Sequence, residues 1–187
     1  MALRFFALHD EVNFPRRWHL DSPVDGQGRE VDDWAFKSGA PLNLKGPLSV
    51  PIEHAGRPLD FSETNLGIPV VHIKVASIFR ELAPNDVQFI PVNIEGQSDQ
   101  FLILVATRLI RCIDEQASRI RLWTHEDGVP HKVGQYKSVR GMRIDNACVG
   151  DARVFRPAGW EGTLIVSAAI KEALERVYTT GAKFEEV

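Results

Sequence analysis

The sequence is poor in cysteine and has no long apolar run, and each shortage removes a class of function. Its 187 residues hold two cysteines, Cys112 and Cys148, far apart and in no C-x-x-C arrangement. That argues against a disulfide framework and fits buried or inert thiols in a reducing cytoplasm. The longest apolar run, Phe101 to Ala106, falls far short of a membrane span, and Met1 to Phe6 lacks the apolar region and cleavage site of a signal peptide. A cytoplasmic protein of bacterial type, with no membrane association, is expected. No G-x-S-x-G elbow and no H-E-x-x-H pair occurs, and the six histidines are scattered with none near a cysteine. Gly26 and Gly28 lack the third glycine and the preceding strand of a dinucleotide fingerprint. Catalytic residues, cofactor and metal are therefore all expected to be absent.

What is present is an ordinary globular composition, 44% hydrophobic and 25% charged, with an uneven placement of charge. Met1 to Leu66 holds seven Lys and Arg against ten Asp and Glu, while the remainder holds fifteen of each, so the whole net charge of −3 lies in the first third. This argues against direct nucleic-acid binding, which needs a basic face, and allows a basic protein partner.

Two stretches, 67–92 and 162–187, repeat one pattern at a constant offset of 95 residues. In the later copy Leu164-Ile165-Val166 reads as a strand and Ser167 as a helix N-cap; Ile170, Ala173, Leu174 and Val177 fall at i, i+3, i+4, i+7. Thr180-Gly181 reads as the C-cap and Lys183 to Val187 as a second strand. In the earlier copy Pro69-Val70-Val71 is the strand, Val75, Ile78, Phe79 and Leu82 form the stripe, and Pro84-Asn85-Asp86 breaks the helix. One register shared by strand, stripe and strand points to an internal repeat. The fold class expected is α+β, with two related strand-helix-strand lobes (67–92 and 162–187) joined by a mixed or antiparallel sheet in one compact domain. Residues 1–187 then form a single domain, an acidic N-terminal part (1–66) preceding the doubled core (67–187).

Between these copies the chain reads as strands and turns. Leu3 to Leu8 is a first strand, and Asn13 to Gly28 is a proline-bearing loop in which Trp18 favours order. Leu48 to Ile52 is an edge strand interrupted by Pro51. The continuously apolar Phe101 to Ala106 is a central strand covered on both faces, with Arg108 to Ile113 continuing it. Arg119 to Trp123 alternates charged-out and apolar-in, and Val133 to Ile144 supplies a further strand or hairpin. His9-Asp10 would suit an acid-base pair, but neighbours on a strand point to opposite faces. Glu30 with Asp32 or Asp33 would suit a carboxylate pair, with nothing else in the chain to support it.

Beyond these readings lies a resemblance. Val139 to Asp145, Val149 to Arg156, Leu164 to Ser167 with Lys171 to Leu174, and Thr180 to Phe184 together resemble the closing signature of a bacterial polymorphic-toxin immunity family. It is the eleventh-numbered family of immunity proteins, also filed as an uncharacterised domain. Cys112-Ile113-Asp114 with Ser118 is similar to that family's aspartate turn, and Pro69-Val70-Val71 with Val75 to its middle unit. The likeness covers Leu66 to Val187 well and Met1 to Asn65 less distinctly, Trp18 and the segment around Trp34 being its best points there. It implies a non-enzymatic protein that binds and blocks a cognate toxin domain encoded nearby, a nuclease being one candidate.

A nuclease presents a basic substrate site, so the acidic stretch Asp21, Asp25, Glu30, Asp32 and Asp33, with Trp34 as anchor, is the expected partner-binding surface. The competing reading of Trp34 and Phe36 is that both belong to the core. Two other classes stay open: a regulatory or self-associating module, including a homodimer, and an enzyme with a dispersed site of titratable residues.

Overall fold

The 95-residue offset carries through to the backbone. In the computed structural model, which describes residues 3–187, the chain opens with β1 (Phe5–Asp10), β2 (His19–Leu20), β3 (Leu48–Ser49), β4 (Ile52–His54) and β5 (Phe61–Glu63). The first repeat follows as β6 (Pro69–His72), α1 (Ile73–Leu82) and β7 (Val87–Asn93). Then come β8 (Phe101–Ala106), β9 (Leu109–Ile110), β10 (Arg119–Leu122), β11 (Tyr136–Arg140), the short α2 (Asn146–Val149) and β12 (Val154–Pro157). The second repeat closes the chain as β13 (Leu164–Ser167), α3 (Ala168–Arg176) and β14 (Ala182–Glu186). Each element of the second repeat begins 95 residues after its counterpart.

Each lobe has its own five-stranded sheet, in the orders β3-β7-β8-β6-β5 and β14-β1-β13-β12-β9. β8 lies between β6 and β7, antiparallel to both, and β1 lies likewise between β13 and β14. The registers also agree, Val71 facing Leu102 where Val166 faces Phe6. The first strand of the acidic N-terminal part thus takes an interior place in the second sheet, between β14 and β13. Both sheets are mixed, since β3 joins β7 and β9 joins β12 in parallel.

Alternation along the strands assigns the cores. Leu102, Leu104 and Ala106 of β8, with Phe6 and Leu8 of β1, enter a shared core that also holds Val75 and Phe79 of α1 and Ile170 and Leu174 of α3. Each of these Leu, Val, Ile and Phe side chains stabilises the fold by about 1.5–3 kcal/mol before the loss of conformational freedom. The other face of β8, Phe101, Ile103 and Val105, packs under the N-terminal segment against Trp18, Leu20, Phe36 and Leu59. The other face of β1, Phe5 and Ala7, packs with Cys112, Met142, Val149 and Phe155. Two covered faces explain why β8 is apolar at every position.

The lobes meet at reciprocal junctions. The Asp60 carboxylate, just before β5, accepts from the Thr180 N–H (2.9 Å) and hydroxyl (2.8 Å), just before β14. Asp86, just before β7, accepts from the Arg153 and Val154 N–H groups (2.7 and 3.3 Å) at β12. Burial pushes the Asp60 carboxyl up, but hydrogen bonds from Lys74 and Thr180 outweigh it and hold the group below the usual carboxylate range.

Several expectations need correction. Gly181 is not the helix C-cap: α3 ends at Arg176, and Tyr178 is the residue at left-handed φ (53°). Gly181, at φ +87°, sits where a Cβ would lie 2.1 Å from the Phe61 carbonyl oxygen, so it permits the lobes to approach. Val177, past the helix, is exposed and leaves the apolar stripe. Ser167 holds the N-cap position but makes no capping hydrogen bond. Arg108 to Ile113 does not extend β8, because β9 crosses to the second sheet. In β10 only Ile120 is half-buried, and Leu122 is exposed. Cys112 is buried, its thiol pushed up to about 12 by burial, but Cys148 is exposed and donates to Asp145 at 3.2 Å. No helix among the described residues is long and apolar enough to cross a membrane.

Candidate partner-binding face

Hydrogen bonds to the backbone shape the acidic segment residue by residue. Asp25 closes a turn, its carboxylate accepting from the N–H groups of Arg29 (3.0 Å) and Gln27 (2.8 Å) and from Arg29 Nε (2.9 Å). These bonds hold its carboxyl below the usual range. Asp32 accepts from the Trp34 N–H at 3.0 Å and so starts a single 3₁₀ turn, Ala35–Lys37. That turn separates its two aromatics. Phe36 is fully buried in the core beneath the N-terminal segment, whereas Trp34 is 67% exposed. The core reading therefore holds for Phe36 and fails for Trp34.

Glu30, Asp32, Asp33 and Trp34 line one open recess of about 300 Å³, together with Lys37 and Leu66. The Lys37 ammonium lies 4.4 Å from the Trp34 ring centroid and donates to the Leu66 carbonyl at 2.7 Å. Burial, and then the nearby charge of Arg156, lower its pKa. Ser22 Oγ lies 3.3 Å from an Asp33 carboxylate oxygen and 3.2 Å from Asn65 Oδ1, while Asn65 Nδ2 donates to Asp21 at 2.7 Å. The other Asp33 oxygen is buried with no partner among the described residues. Of the six residues singled out in the sequence, four share the recess, Asp21 adjoins it through Ser22 and Asn65, and Asp25 is occupied by its own turn.

Sequence reasoning missed a second recess, about 190 Å³, that includes Thr64 and Asn65, beside the Leu66 of the first. Asp10, Arg17, His19, Glu53 and Glu63 contribute to it. Asp10 ion-pairs with Arg17, and Glu63 accepts from the Asp10 N–H at 3.3 Å. Burial raises the Glu63 carboxyl to about 7, with the Asp10 charge adding to the rise; Arg156 and Lys37 oppose it. Arg156 is itself fully buried, donating to the Glu161 and Gly162 carbonyls at 3.0 and 3.2 Å, and burial lowers its pKa to about 10. In the sequence Asp10 stood out only beside His9, and nothing pointed to Glu63. Among the described residues no group of three or more His, Cys, Asp or Glu is placed to hold a metal ion. Chemically, the first recess presents the carboxylates of Glu30, Asp32 and Asp33 to cationic groups, with the Trp34 ring standing out beside them, whereas in the second Asp10 is neutralised by Arg17.

The model of the Imm11 immunity protein family matches residues 6–187. The chain belongs to that family. The match takes in the N-terminal third, where the sequence resemblance was less distinct, so the acidic face lies within the Imm11 unit. No curated protein matches the chain. Membership supports an immunity role, and with it the binding of a toxin in general terms.

Proposed function

We propose that this Imm11 chain is a non-enzymatic inhibitor that binds a cognate toxin domain encoded beside it in a bacterial genome, and blocks it in the cytoplasm. The contact surface is the acidic face around Trp34, and the toxin's complement is a basic substrate-binding surface, as a nuclease would present. The observation that carries this reading is Trp34, 67% exposed and lining one recess with Glu30, Asp32 and Asp33. Exposed tryptophans are rare on monomer surfaces and common as interface anchors, and carboxylates around one would steer a basic partner and fix its orientation. A standard interface of about 800 Å² per partner would cover both recesses.

The test is co-purification with the adjacently encoded toxin domain, followed by calorimetry at two salt concentrations. One-to-one binding that weakens with salt, and weakens by about 2 kcal/mol or more in Trp34→Ala, supports the reading. No binding by a folded, monodisperse protein removes the toxin, and full binding by Trp34→Ala removes this face.

A further inference from the structure

The β10–β11 hairpin is a two-stranded ribbon that pairs with no other strand among the described residues. Its register sets Arg119 directly opposite Arg140, and Arg121 opposite Ser138. Residues opposite one another share a face, as do alternate residues of one strand, so Arg119, Arg121 and Arg140 project from the same side. The reverse side carries Ile120 and Val139, and Val139 packs against the core that holds Cys112, Met142 and Phe155. All three arginines are exposed, and none lies within salt-bridge reach of a carboxylate among the described residues. Arg4, Arg17, Arg29 and Arg108 are paired, while other exposed arginines such as Arg16 and Arg80 are not, so what sets these three apart is that they share one face.

Like charges directly opposite on a ribbon oppose its pairing. A hairpin already short of neighbours, with one face held by the core and the other set against itself, leaves that second face without a partner among the described residues. We propose that this face docks an acidic, extended segment of a partner protein, carrying carboxylates on alternate residues. Alternate side chains of a strand repeat about every 6.4–6.8 Å, the spacing of Arg119 and Arg121 along β10, and guanidinium forks match carboxylates two bonds at a time. Nucleic acid fits less well. Three cations stand on a chain of net charge −3, and the nearby Trp123 ring is occupied by Lys132 and Lys137 at 5.2 and 4.7 Å from its centroid. The ribbon lies over the second sheet and the Trp34 face over the first, so the inference does not depend on the toxin reading.

The experiment uses the full chain and a fluorescein-labelled peptide of alternating Glu and Thr, read by anisotropy at about 50 and about 200 mM salt. Wild type should bind, more weakly at the higher salt, and Arg121→Ser with Arg140→Thr should weaken binding by roughly tenfold or more. Arg140→Glu should abolish binding while raising the thermal midpoint by roughly 1–4 °C, because it turns the Arg119 pair from repulsive to attractive. Absence of peptide binding by wild type, undiminished binding by the double variant, or a lowered midpoint in Arg140→Glu would overturn the proposal. So would tighter binding of a single-stranded oligonucleotide of equal charge than of the peptide.

Discussion

Glu63→Gln is expected to stabilise the protein at pH 8 and to leave it unchanged at pH 4. Folding takes the Glu63 carboxyl from its ordinary 4.5 to about 7, chiefly by burial, so the folded state prefers the protonated form. Below the unfolded value both states carry the proton and nothing is lost. Between about 4.5 and 7 the unfolded chain releases the proton while the folded one keeps it, and stability falls by about 1.4 kcal/mol per pH unit. Above about 7 the loss levels off near 3 kcal/mol at most, and nearer 1–2 kcal/mol once water in the neighbouring recess screens the charge. Glutamine imitates the protonated form and can still accept from the Asp10 N–H, so the variant escapes this decline. Asp60, whose carboxyl is held low, gives the opposite trend: its contribution is present above its unfolded pKa and lost as the pH falls through the lower folded value. Both proteins share that group, so it cancels in their difference. Urea midpoints for the two proteins across pH 4 to 8 measure that difference. A gap independent of pH, or a variant less stable than wild type at pH 8, would refute the argument that burial of Glu63 governs its titration.

Other substitutions test the packing. Gly181→Ala puts a Cβ 2.1 Å from the Phe61 carbonyl oxygen at φ +87°, and should lower stability by about 2 kcal/mol or more in chemical denaturation. Trp18→Phe removes the donor that meets Ser62 Oγ at 2.8 Å and should cost about 1–3 kcal/mol, the buried hydroxyl being left unpaired. Leu174→Ala, emptying a fully buried site in the core shared by both helices, should cost about 2–5 kcal/mol in the same assay.

The repeat was legible in the sequence because strand and helix periodicity are local properties and a fixed offset makes two weak signals reinforce one another. The partner strands were legible as strands, Phe101 to Ala106 even as a central one, but their equivalent places between the two strands of each unit were not. β8 follows its unit directly, but β1 lies at the far end of the chain from the unit it completes, and pairing between remote strands leaves no local mark. Gly181 was misread for a related reason. A glycine shortly after a helix resembles a C-cap, whereas the carbonyl that requires it belongs to Phe61. At the acidic face, charge count and turn residues led to Glu30, Asp32, Asp33 and Trp34, while the one-turn helix that exposes Trp34 and buries Phe36 emerged only from the backbone. Asp10 read as the end of a strand and Glu63 carried no signal of its own, since their proximity arises where β5 meets β1 across the two lobes.

The contact between the acidic face and a basic toxin is tested most directly by the association rate of the cognate domain with wild type and with Asp32→Lys, Asp33→Lys, measured by stopped flow across a range of salt. Steering by these carboxylates predicts fast wild-type association that slows as salt rises, and a charge-reversed variant slower by roughly tenfold or more with a shallower salt dependence. Equal rates and equal salt slopes in the two proteins would contradict it and place the interface elsewhere on the molecule.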